Sequence, residues 1–267
     1  MQPKVIVVTN RKGGVGKTTV ATHLGAALAL GGQRVGMIDT DPQGHCSAYF
    51  NMSKEAGLYN VYAGDVPIVN VVREVPKDRF APAESNPSPL YLLPGNKQTS
   101  AIPVTDGYDA FRFREIVEEM AEVYQLDWII VDTGPTANIF DSAVFFAATH
   151  FLYVTESARL SFDGLQSSMA ELESINTRHS RFRTWNAEIV GIIPNKSRLN
   201  TNIQRSRTGD LVNHYRNIVW EPIPLATLWQ EACEYGMTVF AFAPESREAR
   251  IAWRMAERLM EKCHANG

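Results

Sequence analysis

The sequence predicts an α/β fold: a doubly wound, mostly parallel sheet with helices on both faces. Three observations carry that expectation. A strand, a glycine-rich turn and a helix follow one another directly over residues 4–30. Apolar runs of strand length then alternate with helical stretches to the end of the chain, with no internal repeat and no linker of domain-boundary quality. Two of those runs close in aspartates, Asp39 and Asp132, and in open α/β sheets ligands bind at the carboxyl ends of strands. At 267 residues the expectation is one domain, 1–267, with a variable insert region over 45–105 and a basic closing helix over 246–262.

Hydrophobic content of 45% with 21% charged residues is that of an ordinary globular chain. A net charge of −3 gives no global basic field, so any nucleic-acid contact must come from a local patch. The three cysteines, Cys46, Cys233 and Cys263, lie far apart without metal-ligand spacing, which fits a reducing cytoplasm and no disulfide framework. The six histidines form no H-x-x-x-H pair, which speaks against a structural metal. The first apolar run is too short for a signal peptide, and no stretch reaches the ~18 apolar residues of a membrane span. A cytoplasmic location is expected.

Val5–Val8 is a β-branched run that reads as a buried strand and stops at Asn10. Gly13-Gly14-Val15-Gly16 and Lys17-Thr18-Thr19 follow at a helix start, and together they make a phosphate cradle. Glycines let successive N–H groups approach phosphate oxygens, because no Cβ intervenes. Lys17 brings charge toward the β- and γ-phosphates, and the Thr18 hydroxyl can ligand Mg²⁺. The usual G-x-x-x-x-G-K-[ST] pattern asks for a glycine where this chain has Arg11, and a second lysine, Lys12, stands at the loop mouth. Lys12 is either part of the site or a solvated loop lysine.

Thr18–Leu30 is an Ala- and Leu-rich helix closed by Gly31-Gly32, with His23 inside it as a packed residue. Gln33–Asp39 is the next strand, and it delivers Asp39 and Asp41 to the crevice of the glycine loop. Asp41-Pro42 could alternatively be a turn former. Within 45–105, Leu58–Val66 and Ile68–Val72 suggest a short helix, a turn and an extended piece. Residues 81–90 form an exposed loop, and Leu90–Leu93 a short buried strand. No chemistry is expected from this region. Ala110–Tyr124 carries a helical apolar stripe and leads to Trp128–Asp132, a strand ending in an acid that would bind an Mg²⁺ water and sense the γ-phosphate. Asp141–Thr149 is expected as a helix, His150–Glu156 as a strand and Leu160–Thr177 as a helix. A compact basic turn over 178–183, a strand Glu188–Asn195 and a helix Thr201–Tyr215 follow.

KGGVGKTT (12–19) resembles the deviant Walker A motif of the ParA/MinD family of ATPases, a branch of the P-loop NTPases. DTDPQG (39–44) is similar to that family's first switch motif, and DTGP (132–135) to its second. The LLP strand at 92–94 and the stretch 223–259, with its I-P, E-A, G-x-T-V and P-x-S elements, extend the likeness from Val5 to Leu259, weakly over 45–105. The resemblance implies ATP and Mg²⁺ as cofactors and an ATP-dependent sandwich homodimer. Lys12 would reach in trans to the partner's phosphates, Lys12, Lys17 and Asp41 would be catalytic, and Asp41 would orient the attacking water. Thr18, Asp39 and Asp132 would hold the metal, while residues 12–19 bind nucleotide. Asn195 stands where relatives contact adenine.

The closing helix puts Arg247, Arg250, Arg254, Arg258 and Lys262 mostly opposite Ala252, Met255, Ala256, Leu259 and Met260. That stripe is a candidate track for sequence-independent DNA binding, or a solvated face paired with Glu248, Glu257 and Glu261. The family often carries a DNA-contacting arginine before E-A, and here those positions are Leu228 and Trp229. Arg198, Arg205, Arg207 and Arg216 join Arg247, Arg250, Arg254 and Arg258 as the DNA-binding candidates. The resemblance implies a partition or positioning ATPase, nucleoid-associated in the cytoplasm, with hydrolysis stimulated by a ParB-like or other cargo adaptor and weak without it. No amphipathic membrane tail is seen, which disfavours a MinD-like membrane cycle. Reductase relatives would need cluster cysteines that this chain does not match. A nucleotide-binding scaffold without turnover is the remaining alternative. The cargo, whether plasmid, chromosome or protein body, is not encoded in these residues.

Overall fold

The computed structural model describes residues 2–64, 66–105, 108–135, 139–156, 165–167, 169–170, 172–174, 177, 187–198 and 202–264, with side chains at 139 and 202–208 outside the description. The basic turn expected over 178–183 therefore lies outside the described residues. So does half of the helix expected over Leu160–Thr177, whose described positions are helical.

Among the described residues the strands are β1 (Lys4–Thr9), β2 (Val35–Asp39), β3 (Arg73–Glu74), β4 (Leu90–Leu93), β5 (Trp128–Asp132), β6 (His150–Glu156) and β7 (Glu188–Asn195). They form one seven-stranded sheet in the order β3-β4-β2-β5-β1-β6-β7. Every pairing is parallel except that of β3 with β4. Parallel strands need helical crossovers on the sheet faces, and so their side chains are apolar on both faces. In β1, Ile6 and Val8 point into one core with Met37, Leu92 and Ile130, while Val5 and Val7 join Ile38, Ile129 and Phe151 in the other. Full burial of each such side chain contributes roughly 1.5–3 kcal/mol. The doubly wound sheet with helices on both faces is as the sequence predicts.

The helix Lys17–Leu30 is apolar around its circumference because it is covered twice, by the sheet beneath and by the closing helix Arg247–His264 above. It ends at Gly31, and the left-handed residue is Gly32, with φ +86°. The opposite face of the sheet is covered by Arg112–Tyr124, which buries Phe113, Ile116, Val117 and Met120, and by Ile139–Ala147. The closing helix begins at Ser246, whose hydroxyl accepts the Ala249 N–H at 3.0 Å as an N-cap.

One expectation in the insert fails. Ile68–Val72 is not extended: Ile68–Asn70 is a 3₁₀ turn following Pro67, and the Val72 N–H bonds back to Ile68 O at 2.9 Å. Proline fixes the entry angle, and pairing is deferred to Arg73–Glu74. No helix among the described residues is long and apolar enough to cross a membrane.

Candidate nucleotide site

The glycine loop leaves β1 at the centre of the sheet, where the strand order reverses between β5 and β6. Asn10 anchors it: its side-chain amide donates to Val154 O at 2.8 Å, and its Oδ1 accepts the Lys12 N–H at 2.9 Å. Gly16 has φ +96°, and a Cβ there would stand 2.1 Å from Asn195 Nδ2, so both conformation and space demand glycine. Asn195 ends β7 and donates to Val15 O at 2.7 Å, which ties the far strand to the loop. Lys196, at φ +51°, turns back so that its ammonium reaches Gly14 O.

Lys17 is 6% exposed, and its Nζ donates to Lys12 O at 3.3 Å, inside the curve of the loop. Burial pulls its pKa down, while Asp132, Asp41 and Asp141 pull it up. Lys12 lies at the loop mouth and pairs with Glu156 Oε2 at 3.1 Å, and Lys196 takes Glu156 Oε1 at 3.4 Å. Burial works to raise the Glu156 pKa, but the two lysines hold it below the ordinary value.

Register sets Asp39 beside Asp132 at the ends of β2 and β5. Asp39 is held by backbone donors, Asp41 N at 2.9 Å on Oδ1 and Cys46 N at 3.0 Å on Oδ2. Asp132 Oδ2 accepts the Thr18 hydroxyl at 2.6 Å. Burial pushes both carboxyls upward in pKa, Asp39 further because Asp132 stands next to it. Asp132 Oδ1 is buried with no hydrogen-bond partner. An orphaned carboxylate oxygen beside a threonine hydroxyl and a second buried acid is a donor set suited to a divalent cation, so these residues fit Mg²⁺. Asp41 accepts the Gln43 N–H on Oδ1 at 2.9 Å and faces the same cavity as Lys17 and Thr18.

That cavity, about 400 Å³, runs from Gly13–Thr19 past Asp41, Thr133 and Asn195 to an apolar end at Pro224, Leu225, Ala226 and Trp229. A polar, glycine-lined end and an apolar end form the shape of a phosphate-bearing ligand with a flat ring. Of the residues singled out in the sequence, Lys12, Gly13, Gly14, Val15, Gly16, Lys17, Thr18, Thr19, Asp39, Asp41, Asp132 and Asn195 come together here. Sequence reasoning missed Glu156, Lys196, Tyr49 and Trp229. Only Lys196, next to Asn195, had a positional hint.

Three features of the site lie outside the sequence reading. The insert does contribute to the site: Ala48 and Tyr49 wall the cavity, and Gly95 packs so closely that a Cβ would lie 2.5 Å from Asp41 O. Trp229, which with Leu228 stands before Glu231-Ala232, is 8% exposed, sits edge-on to His23 at 4.9 Å and walls the cavity. Arg258 is not on an open stripe: its guanidinium lies over the Trp220 ring at 5.8 Å and donates to Val219 O at 3.3 Å. Arg250 donates to Glu245 O at 2.8 Å and Arg254 pairs with Glu221 at 3.5 Å, both from exposed positions, and Arg247 is exposed as well. Arg198 and Arg216 are exposed on the β7 side, whereas the side chains of Arg205 and Arg207 lie outside the described residues.

The family model described as "AAA domain" matches residues 3–184. The chain is similar to "Chromosome partitioning protein ParA" of Caulobacter vibrioides, 25% identical over 272 residues, covering 97% of this chain and 94% of that protein. It is also similar to "Chromosome-partitioning ATPase Soj" of Thermus thermophilus, 27% identical over 259 residues, covering 96% and 95%. Among solved structures, an ATP complex of Cyanothece McdA superposes with a TM-score of 0.77 at 18% identity, covering 97% of this chain and 96% of that one, a likeness of fold.

Proposed function

The chain belongs to the AAA-domain family, in its ParA/MinD branch of ATPases, and from that premise we propose that it is a partition or positioning ATPase whose ATP-bound form is a sandwich dimer. One observation carries the reading. A buried lysine, a hydroxyl on a buried acid and a second aspartate converge on one glycine-lined cavity at the centre of the sheet. The curated relatives by name partition chromosomes, and they match nearly end to end.

In this reading the loop amides and Lys17 hold the phosphates. Bound Mg²⁺ would neutralise charge shared by the β- and γ-phosphates, held by Thr18 with Asp39 and Asp132 behind it. Asp41 orients a water in line with the γ-phosphate and accepts its proton, and closure of the cavity excludes other water. Asn195 braces the loop, and the apolar end at Pro224–Ala226 takes the base. Lys12 leaves Glu156 and reaches across the dimer to the partner's phosphates, where its charge offsets the repulsion of two facing triphosphates. The exposed arginines Arg198, Arg216, Arg247, Arg250 and Arg254 track DNA phosphates without reading bases, on the nucleoid, and a cargo adaptor of the ParB kind stimulates otherwise weak turnover.

The test is ATP turnover per subunit across protein concentrations, with and without duplex DNA. Turnover that rises with concentration and is lost in Lys17→Ala supports the reading. A wild type that neither binds nor hydrolyses ATP overturns it.

A further inference from the structure

Cys46 has no motif role in the reading above, and the tertiary structure brings it to the two buried acids. The turn that follows Gly44 starts a short helix, His45–Tyr49, whose second residue sits over the ends of β2 and β5. One ligand atom from each of Asp39, Cys46 and Asp132 lies within 4.8 Å of the other two, and all three residues are fully buried. The Cys46 thiol donates to Asp132 Oδ2 at 3.6 Å, and Asp132 Oδ1 has no hydrogen-bond partner.

We propose that Asp39, Cys46 and Asp132 form a site for a thiophilic divalent cation of the Zn²⁺ class, separate in chemistry from the Mg²⁺ that accompanies a nucleotide. Mg²⁺ takes oxygen ligands only, so it can use Asp39, Asp132 and Thr18 but not the Cys46 sulfur, and the two kinds of ion compete for the same pair of acids. Zn²⁺ is tetrahedral and takes sulfur at about 2.3 Å and carboxylate oxygen at about 2.0–2.2 Å, which sets a sulfur–oxygen edge of about 3.6 Å. The Cys46–Asp132 separation already has that length. Asp39 keeps a lone pair on each oxygen after accepting its two backbone N–H groups, so it can ligate without losing its anchor. Binding displaces the Cys46 thiol proton to solvent and leaves a thiolate–metal bond. A water or the neighbouring Thr18 hydroxyl completes the tetrahedron.

The consequence for turnover rests on the ATPase reading. Asp132 supports Thr18, and an ion held between Asp132 and Asp39 withdraws both acids from the nucleotide's metal. Micromolar Zn²⁺ then acts as an inhibitor that Mg²⁺ does not relieve.

The experiment adds Co²⁺ to the nucleotide-free full-length protein and reads the near-ultraviolet thiolate-to-cobalt band. The wild type shows one equivalent, displaced by Zn²⁺ and not by excess Mg²⁺. Cys46→Ala and the near-isosteric Cys46→Ser lose the band and bind Zn²⁺ at least about tenfold more weakly. Both keep the wild-type circular dichroism and Mg²⁺-ATPase rate, and both resist Zn²⁺ inhibition. Cys233→Ser and Cys263→Ser behave as wild type. The site is overturned by a wild type without the band, or by a band that survives Cys46→Ala. A protein that hydrolyses ATP but shows no band loses the metal site and keeps the ATPase reading. A band in a protein that never hydrolyses ATP does the reverse.

Discussion

Lys17 and Asp41 face one cavity but are built differently, and the difference separates binding from chemistry. Lys17 is 6% exposed and is held inside the loop by Lys12 O, so its charge is fixed where the proposed phosphates would lie. Asp41 is positioned by its own turn, with Oδ1 on the Gln43 N–H. Asp41→Ala is therefore expected to bind a fluorescent ATP analogue with near wild-type affinity while hydrolysis falls about 10²–10⁴-fold, the usual worth of a positioned general base. Rapid hydrolysis by that variant would remove Asp41 from its role. Both motifs can be read directly from the sequence because each lies within a few residues of chain. Glu156 cannot, since its partners Lys12 and Lys196 are 144 and 40 positions away and only the sheet brings them together.

At the scale of elements, His23 joins the loop helix to the segment that walls the cavity. Its Nδ1–H donates to Thr19 O at 2.6 Å and its Nε2 accepts the Val239 N–H at 3.0 Å, a pair of partners that only the neutral ring satisfies. Burial, against the Thr19 carbonyl's opposing pull, brings its pKa down to about 4. The unfolded ring titrates near 6.5, so the folded state binds fewer protons between about pH 4 and 6.5. Its contribution is complete above 6.5 and is lost as pH falls toward 4, on the order of 3 kcal/mol in all. The raised carboxyls of Asp39 and Asp132 act in the opposite sense, so the measurement is a difference. Urea unfolding at pH 7 and 4.5 should show wild type losing more stability than His23→Gln, and parallel losses would refute the assignment. The closing helix divides its arginines in the same way. Arg258→Ala should cost about 1 kcal/mol of stability through its lost ring and carbonyl contacts, and leave DNA affinity unchanged. Arg247→Ala with Arg250→Ala should leave stability unchanged, weaken DNA binding and flatten its salt dependence by about one unit per arginine. Filter binding at several salt concentrations decides between the two sets.

For the whole molecule, the loop sits at the centre of one sheet, and Lys12 is held at its mouth by Glu156. Side-chain exposures of 37% for Lys12 and 27% for Glu156 mean that solvent weakens the pair, and an exposed pair contributes at most about 1 kcal/mol. That is small against the attraction of a second triphosphate in the proposed dimer, so there the lysine would change partners. Lys12→Ala is expected to bind ATP as a monomer and to lose the concentration dependence of turnover. Light scattering of the ATP-loaded Asp41→Ala protein, with and without the Lys12 substitution, measures this. A Lys12→Ala protein that still dimerises would exclude action across an interface.

The sequence by itself determined the sheet, the phosphate loop and the acids at the strand ends, because strand period, glycine freedom and loop chemistry act over short stretches of chain. It also limited the arginine stripe to one helix face. Only the tertiary structure decided which of those arginines are occupied, that Trp229 is a cavity wall, and that the insert reaches the site through Tyr49 and Gly95. Spacing along the chain argued against a metal at the cysteines, yet parallel register sets Asp39 beside Asp132 and a turn lays Cys46 over them. Proximity across a sheet is fixed by which strands pair and in what register. Those choices depend on burying both faces at once, a property of the assembled core and of no single stretch of residues.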